Sequence, residues 1–339
     1  MSEHIDVLMT IPFAEDLLDK LRSISSRFQI QAVKASRADE ISPDIWASAE
    51  ILYTGRIIPS PELAPNLRWI QFHYAGIDHA RETSILKREG LSATTMSGAS
   101  ASQVAEYILM MLLALGHHLP EMVEQQRKSS WPKDRWERFS PREILGATVG
   151  VVGYGSIGRQ VARLLAPFGA KVLATKRDAM HPEDPGYTVE GQGDAEGDFV
   201  HRLYPAEALC TMAKECDFLV VAVPLTPRTR DLINSGVLFE MKESAYIIDV
   251  SRGGVLNHND LVLALREHRL AGAALDVFPE EPLMTDSPLW KLPNVLISSH
   301  ISGNTPFYDA RATELFAINL QRYLAGNSLL NLVNIVEGY

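Results

Sequence analysis

The chain has 339 residues, 46% of them apolar and 22% charged, with a net charge of −10 and a pI near 5.5. That length accommodates about two domains, in an ordinary globular composition, and the acidic total argues against a general nucleic-acid binder, which would carry a basic face. Two cysteines, Cys210 and Cys216, are too few for a disulfide framework and lack the spacing of a zinc site. The longest apolar run, YILMMLLAL, is too short to span a membrane, and the N-terminus shows no cleavage signature. These features predict a cytoplasmic protein with no metal, membrane or nucleic-acid partner.

In chain order, HIDVLM reads as a strand, PFAEDLLDKLRSI as an amphipathic helix with Leu17, Leu18 and Leu21 on one face, and AEILYTG as a second strand. LRWIQFHYAGIDH is a further strand running into a loop. This alternation implies a parallel sheet. Residues 102–126, SQVAEYILMMLLALGHHLPEMVEQQ, read as one long helix, apolar on nearly every side and therefore buried on more than one. Residues 131–146 lack periodicity and read as a surface arm. Six strand-like runs follow: TVGVVG, KVLATK, DFLVVAVP, AYIIDVS, AGAALDVF and NVLISSH. Their near-continuous apolar character suits strands covered on both faces. Between the second and third lies a polar excursion, residues 178–203, with four glycines; a loop this long is either functional or mobile. PFYDARATELFAINLQRYLAG closes the chain as a helix, with a short tail.

The first of these six strands runs into Gly153, Gly155 and Gly158, a G-x-G-x-x-G turn that opens a helix and is closed by KVLATK. That context is what a dinucleotide fingerprint requires. Gly153 permits the tight turn, Gly155 lets the backbone approach a pyrophosphate, and Gly158 lets helix and strand pack closely. Amides at the helix start, at Ser156 and Ile157, would hold the phosphates. A carboxylate usually follows about 20 residues on and holds the adenosine ribose of NAD. Here Lys176 and Arg177 stand at that strand end, with Asp178 next as a possible substitute. Two cations attract a 2′-phosphate that a carboxylate would repel, so NADP is favoured over NAD.

Open α/β sheets bind ligands beyond the carboxyl ends of their strands. The residues following the last strands are therefore informative: Arg252 in SRGG, Glu280 and Glu281 in PEEP, and His300 before ISGNT. The set suits reduction of a 2-oxo acid. His300 would donate a proton to the carbonyl oxygen as general acid. Glu281 would hold the other ring nitrogen and favour imidazolium. Arg252 would bind the substrate carboxylate as a fork.

YAGIDHA, VAEYILMMLLAL, GATVGVVGYGSIGRQVA, VAVPLTPRTRDLI, IIDVSRGGVL, GAALDVFPEEPL, SPLWKLPNV and SHISGNT stand in this order over almost the whole chain. In them the sequence resembles the D-isomer-specific 2-hydroxyacid dehydrogenase family. The resemblance implies two doubly wound α/β domains with parallel sheets. A Rossmann cofactor domain (102–304) is inserted into a flavodoxin-like substrate domain (1–101 and 305–339), with the active site in the cleft between them. It also implies a homodimer, with Arg252, Glu281 and His300 as catalytic residues and Ala75–Gly76 amides on the substrate carboxylate. Asp276 would meet the nicotinamide amide, Val223–Pro224 would line its ribose, and Val250, His300 and Gly303 would border the cofactor. Asp249 stands where the family often has Asn, Ser299 where it has Pro before the histidine, and Lys176 where it often has Asp.

The leading expectation is an NAD(P)-dependent reductase of a small 2-oxo acid, of the glyoxylate or hydroxypyruvate type. Alternatives are phosphoglycerate or phosphite dehydrogenases of the same fold. Formate dehydrogenases usually carry Gln at the position of Glu281 and are disfavoured. From another class, a cofactor-sensing corepressor-like binding protein keeps the same triad and needs a partner surface.

Overall fold

The computed structural model describes residues 4–184 and 186–335. Residues 1–3, 185 and 336–339, which include the ends of the expected substrate domain, lie outside the described residues. The chain divides into two compact units. The first takes the chain up to Ser100, the segment Gly186–Val189 and the chain from Thr305 onward; the second takes Ala101 up to that segment, and Glu190–Asn304.

Five strands build the first unit: β1 (Ile5–Met9), β2 (Phe28–Ala32), β3 (Ile51–Thr54), β4 (Trp69–Phe72) and β5 (Ser92–Thr94). All are parallel, in the order β2-β1-β3-β4-β5, the doubly wound flavodoxin-like order. Alternate side chains serve opposite faces. Val7, Met9, Tyr53 and Trp69 point to one core, while Leu8, Leu52, Ile70 and Phe72 point to the other. Helices α1 (Glu15–Arg22) and α2 (Pro43–Ser48) cover the sheet. Leu18 and Leu21 of α1 are buried, and Ser42 caps α2 by accepting from Asp44 N.

The second unit begins with α3 (Ala101–Gly116), α4 (Leu119–Arg127) and the single turn α5 (Arg135–Arg138). The expected single helix over 102–126 is thus two. Pro120 supplies no N–H to a continuing helix, and the chain turns at His118, whose φ is 56°. The expected surface arm holds α5, and its Trp131 and Trp136 are 83% and 80% exposed. The sheet has seven parallel strands: β6 (Thr148–Val152), β7 (Lys171–Thr175), β8 (Arg202–Tyr204), β9 (Phe218–Val221), β10 (Tyr246–Asp249), β11 (Gly272–Leu275) and β12 (Val295–Ile297). Their order is β12-β11-β10-β9-β6-β7-β8, so the direction of winding reverses between β6 and β9, where a dinucleotide binds in such sheets. Helices α6 (Ser156–Leu165), α7 (Leu209–Ala213), α8 (Ser235–Leu238) and α9 (His258–Arg266) complete the unit. Both faces are buried, which explains the apolar runs. The chain then returns to the first unit with α10 (Tyr308–Leu324), whose Ala312, Leu315 and Phe316 enter that unit's core. Among the described residues no helix is long and apolar enough to cross a membrane.

Candidate active site

Three consecutive strand ends of the second unit carry the polar set. β10 ends at Asp249 and turns through Ser251 into Arg252. Asp249 Oδ1 accepts from Ser251 N (3.0 Å) and Ser251 Oγ (2.5 Å), which fixes that turn. Arg252 Nη1 donates to Ser251 O (2.8 Å). Gly253 lies so close to the Phe278 carbonyl and Pro279 that a Cβ there would collide with backbone. Only glycine lets the Arg252 turn sit against the loop that carries Glu281.

β11 leads into that loop. Glu281 Oε1 accepts from Phe278 N (3.0 Å), leaving Oε2 to accept from His300 Nδ1 (2.8 Å). A carboxylate only accepts, so Nδ1 carries its hydrogen and Nε2 is the ring nitrogen that this bond leaves unused. The pair is open to solvent: side-chain exposures are 44% for His300 and 36% for Glu281. His300 itself has φ 55°, a left-handed conformation that a non-glycine residue adopts at a cost. Asp276, fully buried, holds it there. Its Oδ1 accepts from Ser298 Oγ (2.5 Å) and Ile301 N (2.8 Å), and its Oδ2 from Ser302 N (2.9 Å). Tyr107 of α3 bonds Ser298 Oγ (2.6 Å), and Gln103 donates to Gly303 O (2.7 Å).

The glycine turn fits a dinucleotide. Gly153 has φ 103°, and Gly158 faces the Gly153 carbonyl at a separation no Cβ tolerates, while nothing lies within 4 Å of a Cβ built on Gly155. Gly155 precedes α6 with no side-chain cap, and the start of a helix is where backbone N–H groups hold a phosphate. A Cβ on Gly153 would meet Val223 Cγ1 at 2.7 Å, which brings Val223–Pro224 beside the turn.

At the end of β7 the cations are less open than the sequence suggests. Lys176 Nζ donates to the carbonyls of His181 and of Glu183 (2.8 Å for the latter). Burial, and then the nearby Arg159 charge, holds its pKa below the ordinary lysine value. Arg177 is exposed at the same strand end. Asp178, the possible substitute for the ribose carboxylate, pairs instead with His181 Nδ1 (2.6 Å).

In the first unit, β4 leads into His73 and then Ala75–Gly76. His73 is buried, bonds the Tyr53 hydroxyl through Nδ1 (2.7 Å), and accepts Tyr308 Oη at its carbonyl (2.5 Å). Burial pushes its imidazole down to about 4. Among the described residues neither the Ala75 nor the Gly76 amide donates a hydrogen bond.

The sequence profile described as "D-isomer specific 2-hydroxyacid dehydrogenase, NAD binding domain" matches residues 109–302. The chain belongs to the D-isomer-specific 2-hydroxyacid dehydrogenase family. It is 35% identical over 275 residues to the glyoxylate reductase of Thermofilum pendens, covering 80% of this chain and 76% of that one. It is 33% identical over 265 residues to the human glyoxylate reductase/hydroxypyruvate reductase, covering 78% and 76%. A solved D-isomer specific 2-hydroxyacid dehydrogenase from Xanthobacter autotrophicus Py2, in complex with NADPH and MES, superposes with a TM-score of 0.78 at 26% identity over the whole of both chains. This chain is therefore an NAD(P)-dependent oxidoreductase of that family.

Sequence reasoning missed two parts of this dehydrogenase. One is the clamp of Asp276 on the His300 loop, visible only once β11 and β12 are neighbours. The other is Arg159, which follows Gly158 and is buried. Its guanidinium donates to the carbonyls of Asp194 and Pro182, pairs with Asp184 (3.2 Å) and stacks on Tyr154. Tyr154 donates to Asp194, and Gly193 N donates to Gln160 Oε1 (2.5 Å). The polar excursion is thus fastened to α6 and the glycine turn. Its segment Gly186–Val189 belongs to the first unit, where Tyr187 is buried, packs on Gly98 and donates its N–H to Asn331 Oδ1 (3.2 Å).

Proposed function

We propose that the protein is an NADP-preferring reductase of a small 2-oxo acid of the glyoxylate or hydroxypyruvate type. The observation that carries this reading is the His300–Glu281 pair, 2.8 Å apart on the strand-end edge that also bears the glycine turn and Arg252. A bound reduced nicotinamide supplies a hydride to the carbonyl carbon. His300 Nε2 gives its proton to the oxygen that gains charge. Glu281 keeps Nδ1–H engaged, which orients the ring and fixes its tautomer. Arg252 binds the substrate carboxylate through its planar fork. In the reverse direction neutral His300 takes the alcohol proton.

For the cofactor, Gly153, Gly155, Ser156, Ile157 and Gly158 cradle the pyrophosphate, Val223, Pro224 and Val250 border the nicotinamide half, and Asp276, His300 and Gly303 close that end. Support for NADP comes from Arg177, exposed beside Lys176, and from the absence of a free carboxylate at the end of β7 among the described residues. The NADPH complex of the Xanthobacter relative agrees with it. Lys176 then acts chiefly as the residue that holds the loop, with Arg177 meeting the phosphate.

The working form in this reading is a cytoplasmic homodimer. Leu109, Met110, Leu113, Leu119 and Met122 line an apolar groove on α3 and α4, and Met110, Leu119 and Met122 are exposed. A patch of this kind marks an association surface. Purified protein offered glyoxylate and hydroxypyruvate with NADPH, and then with NADH, tests the function. Consumption of NADPH faster than NADH, lost in His300→Ala with the fold intact, is the expected result. No consumption of either cofactor would overturn the reading.

A further inference from the structure

Asp249 is a buried carboxyl for which the chemistry above has no use as a charge. It is 1% exposed. Its Oδ1 is satisfied by Ser251, but its Oδ2 is buried with no hydrogen-bond partner. The next strand presents a second buried carboxyl, Asp276, whose backbone N donates to Asp249 O (3.0 Å). The two differ in their donors. Asp276 accepts three hydrogen bonds, two of them from backbone amides, and both of its oxygens are used. It is therefore the member of the pair built to carry charge. An ionised Asp249 would set an unpaired oxygen in an apolar interior beside that charge, which is strongly unfavourable.

The groups around Asp249 do not relieve this. Asp276, just after β11, is the charge that acts on it, Arg252 lies on its own turn, Tyr107 of α3 reaches Ser298 beside Asp276, and β9 ends in Val220–Val221 with no titratable group. Burial, opposed in part by the Ser251 bonds, pushes the Asp249 carboxyl up to about 7.

Resting on the reductase reading of this site, we propose that Asp249 is a positioning residue held as a neutral carboxylic acid, and that its ionisation loosens the turn bearing Arg252 and sets an alkaline limit on activity. Protonated Asp249 keeps Oδ1 as an acceptor for Ser251 without adding charge beside Asp276. Loss of the proton leaves the turn intact only against repulsion between the two carboxyls. Asn at this position would keep the Oδ1 acceptor and could not ionise.

Two readouts on the full-length chain test this. The first needs no turnover. Infrared difference spectra between acid and alkaline solution should show the carbonyl band of a protonated carboxylic acid disappearing as pH rises, and Asp249→Asn should lack that change. The second is the pH profile of 2-hydroxy acid oxidation by NADP+. Wild-type kcat/KM should fall on the alkaline side, by up to about tenfold per pH unit. Asp249→Asn should hold its plateau there and keep kcat/KM on the acid side within about threefold of wild type. An alkaline fall shared by both proteins, or an infrared change unaltered by Asp249→Asn, would overturn the proposal. The infrared change without turnover on any 2-hydroxy acid would support the neutral carboxyl and overturn the reductase reading instead.

Discussion

The end of β7 and the ends of β10 to β12 both gather charged side chains, and they hold them in opposite ways. At β7 the charges are near the surface and are tied locally. Lys176 meets carbonyls five and seven residues on, and Asp178 meets His181 three residues on. At β10 to β12 the charges are held across strands, Asp276 from a buried position. Asp276 grips the loop of the next strand, and Glu281 reaches His300 nineteen residues away. Local ties would leave the proposed cofactor specificity site open to change one residue at a time. Cross-strand ties fix an imidazole to the accuracy that the proposed proton transfer requires.

That contrast can be broken at either end. The largest effect is expected from His300→Ala, which should lower kcat/KM for the 2-oxo acid by about 10²–10⁴-fold with both cofactors, measured as NADPH or NADH consumption. Arg252→Ala should come next, losing about 10–100-fold in kcat/KM, with much of the loss in KM for the substrate, as expected for removal of hydrogen bonds to a charged group. Asp276→Ala leaves His300 in place but removes its clamp. Its kcat should fall about tenfold or more, and unfolding free energy should fall by about 1.5–3 kcal/mol, as for bonds to a charged acceptor, read by denaturant titration. Arg177→Ala should lower kcat/KM for NADPH by about tenfold and leave NADH within about threefold, the size of one charge-assisted contact. Equal losses with both cofactors would break the assignment of the β7 end to specificity.

The smallest effect concerns pH and stability. Buried neutral His73 lies at about 4, below the ordinary 6.5. Between those values the unfolded chain binds more protons than the folded one, so stability is lost as pH falls from about 6.5 towards 4. Asp249 works the other way. Its folded value of about 7 lies above the ordinary 3.8, so its contribution is lost as pH rises from about 4 to 7. Thermal melts should show Asp249→Asn gaining on wild type as pH rises towards neutrality, and a constant difference across that range would contradict the linkage.

Legibility followed the same physics. The glycine turn, Arg252, Glu281 and His300 could be read from sequence because doubly wound sheets place ligands beyond strand ends, and these residues directly follow apolar runs that are strands on both-sided cores. β2, β5 and β8 were missed because all three are sheet edges: FQIQA is half polar, and SAT and RLY are three residues long. The break at His118 was hidden because apolar periodicity continues through it, although Pro120 was a signal for it. The openness of Lys176 was overread, because its partners are main-chain carbonyls that carry no side-chain signature. Arg159 was invisible in part for the same reason, two of its partners being carbonyls of the polar excursion. The roles of Asp249 and Asp276 differ although both are buried aspartates at neighbouring strand ends. Only the donors around them, set by the fold, tell one from the other.

The most direct test of the account measures kcat/KM for hydroxypyruvate with NADPH and with NADH in wild type, His300→Ala and Arg177→Ala. The account predicts that His300→Ala loses activity with both cofactors by the same factor, and that Arg177→Ala changes their ratio alone. A His300→Ala enzyme that keeps wild-type turnover, or an Arg177→Ala enzyme with an unchanged cofactor ratio, would contradict it.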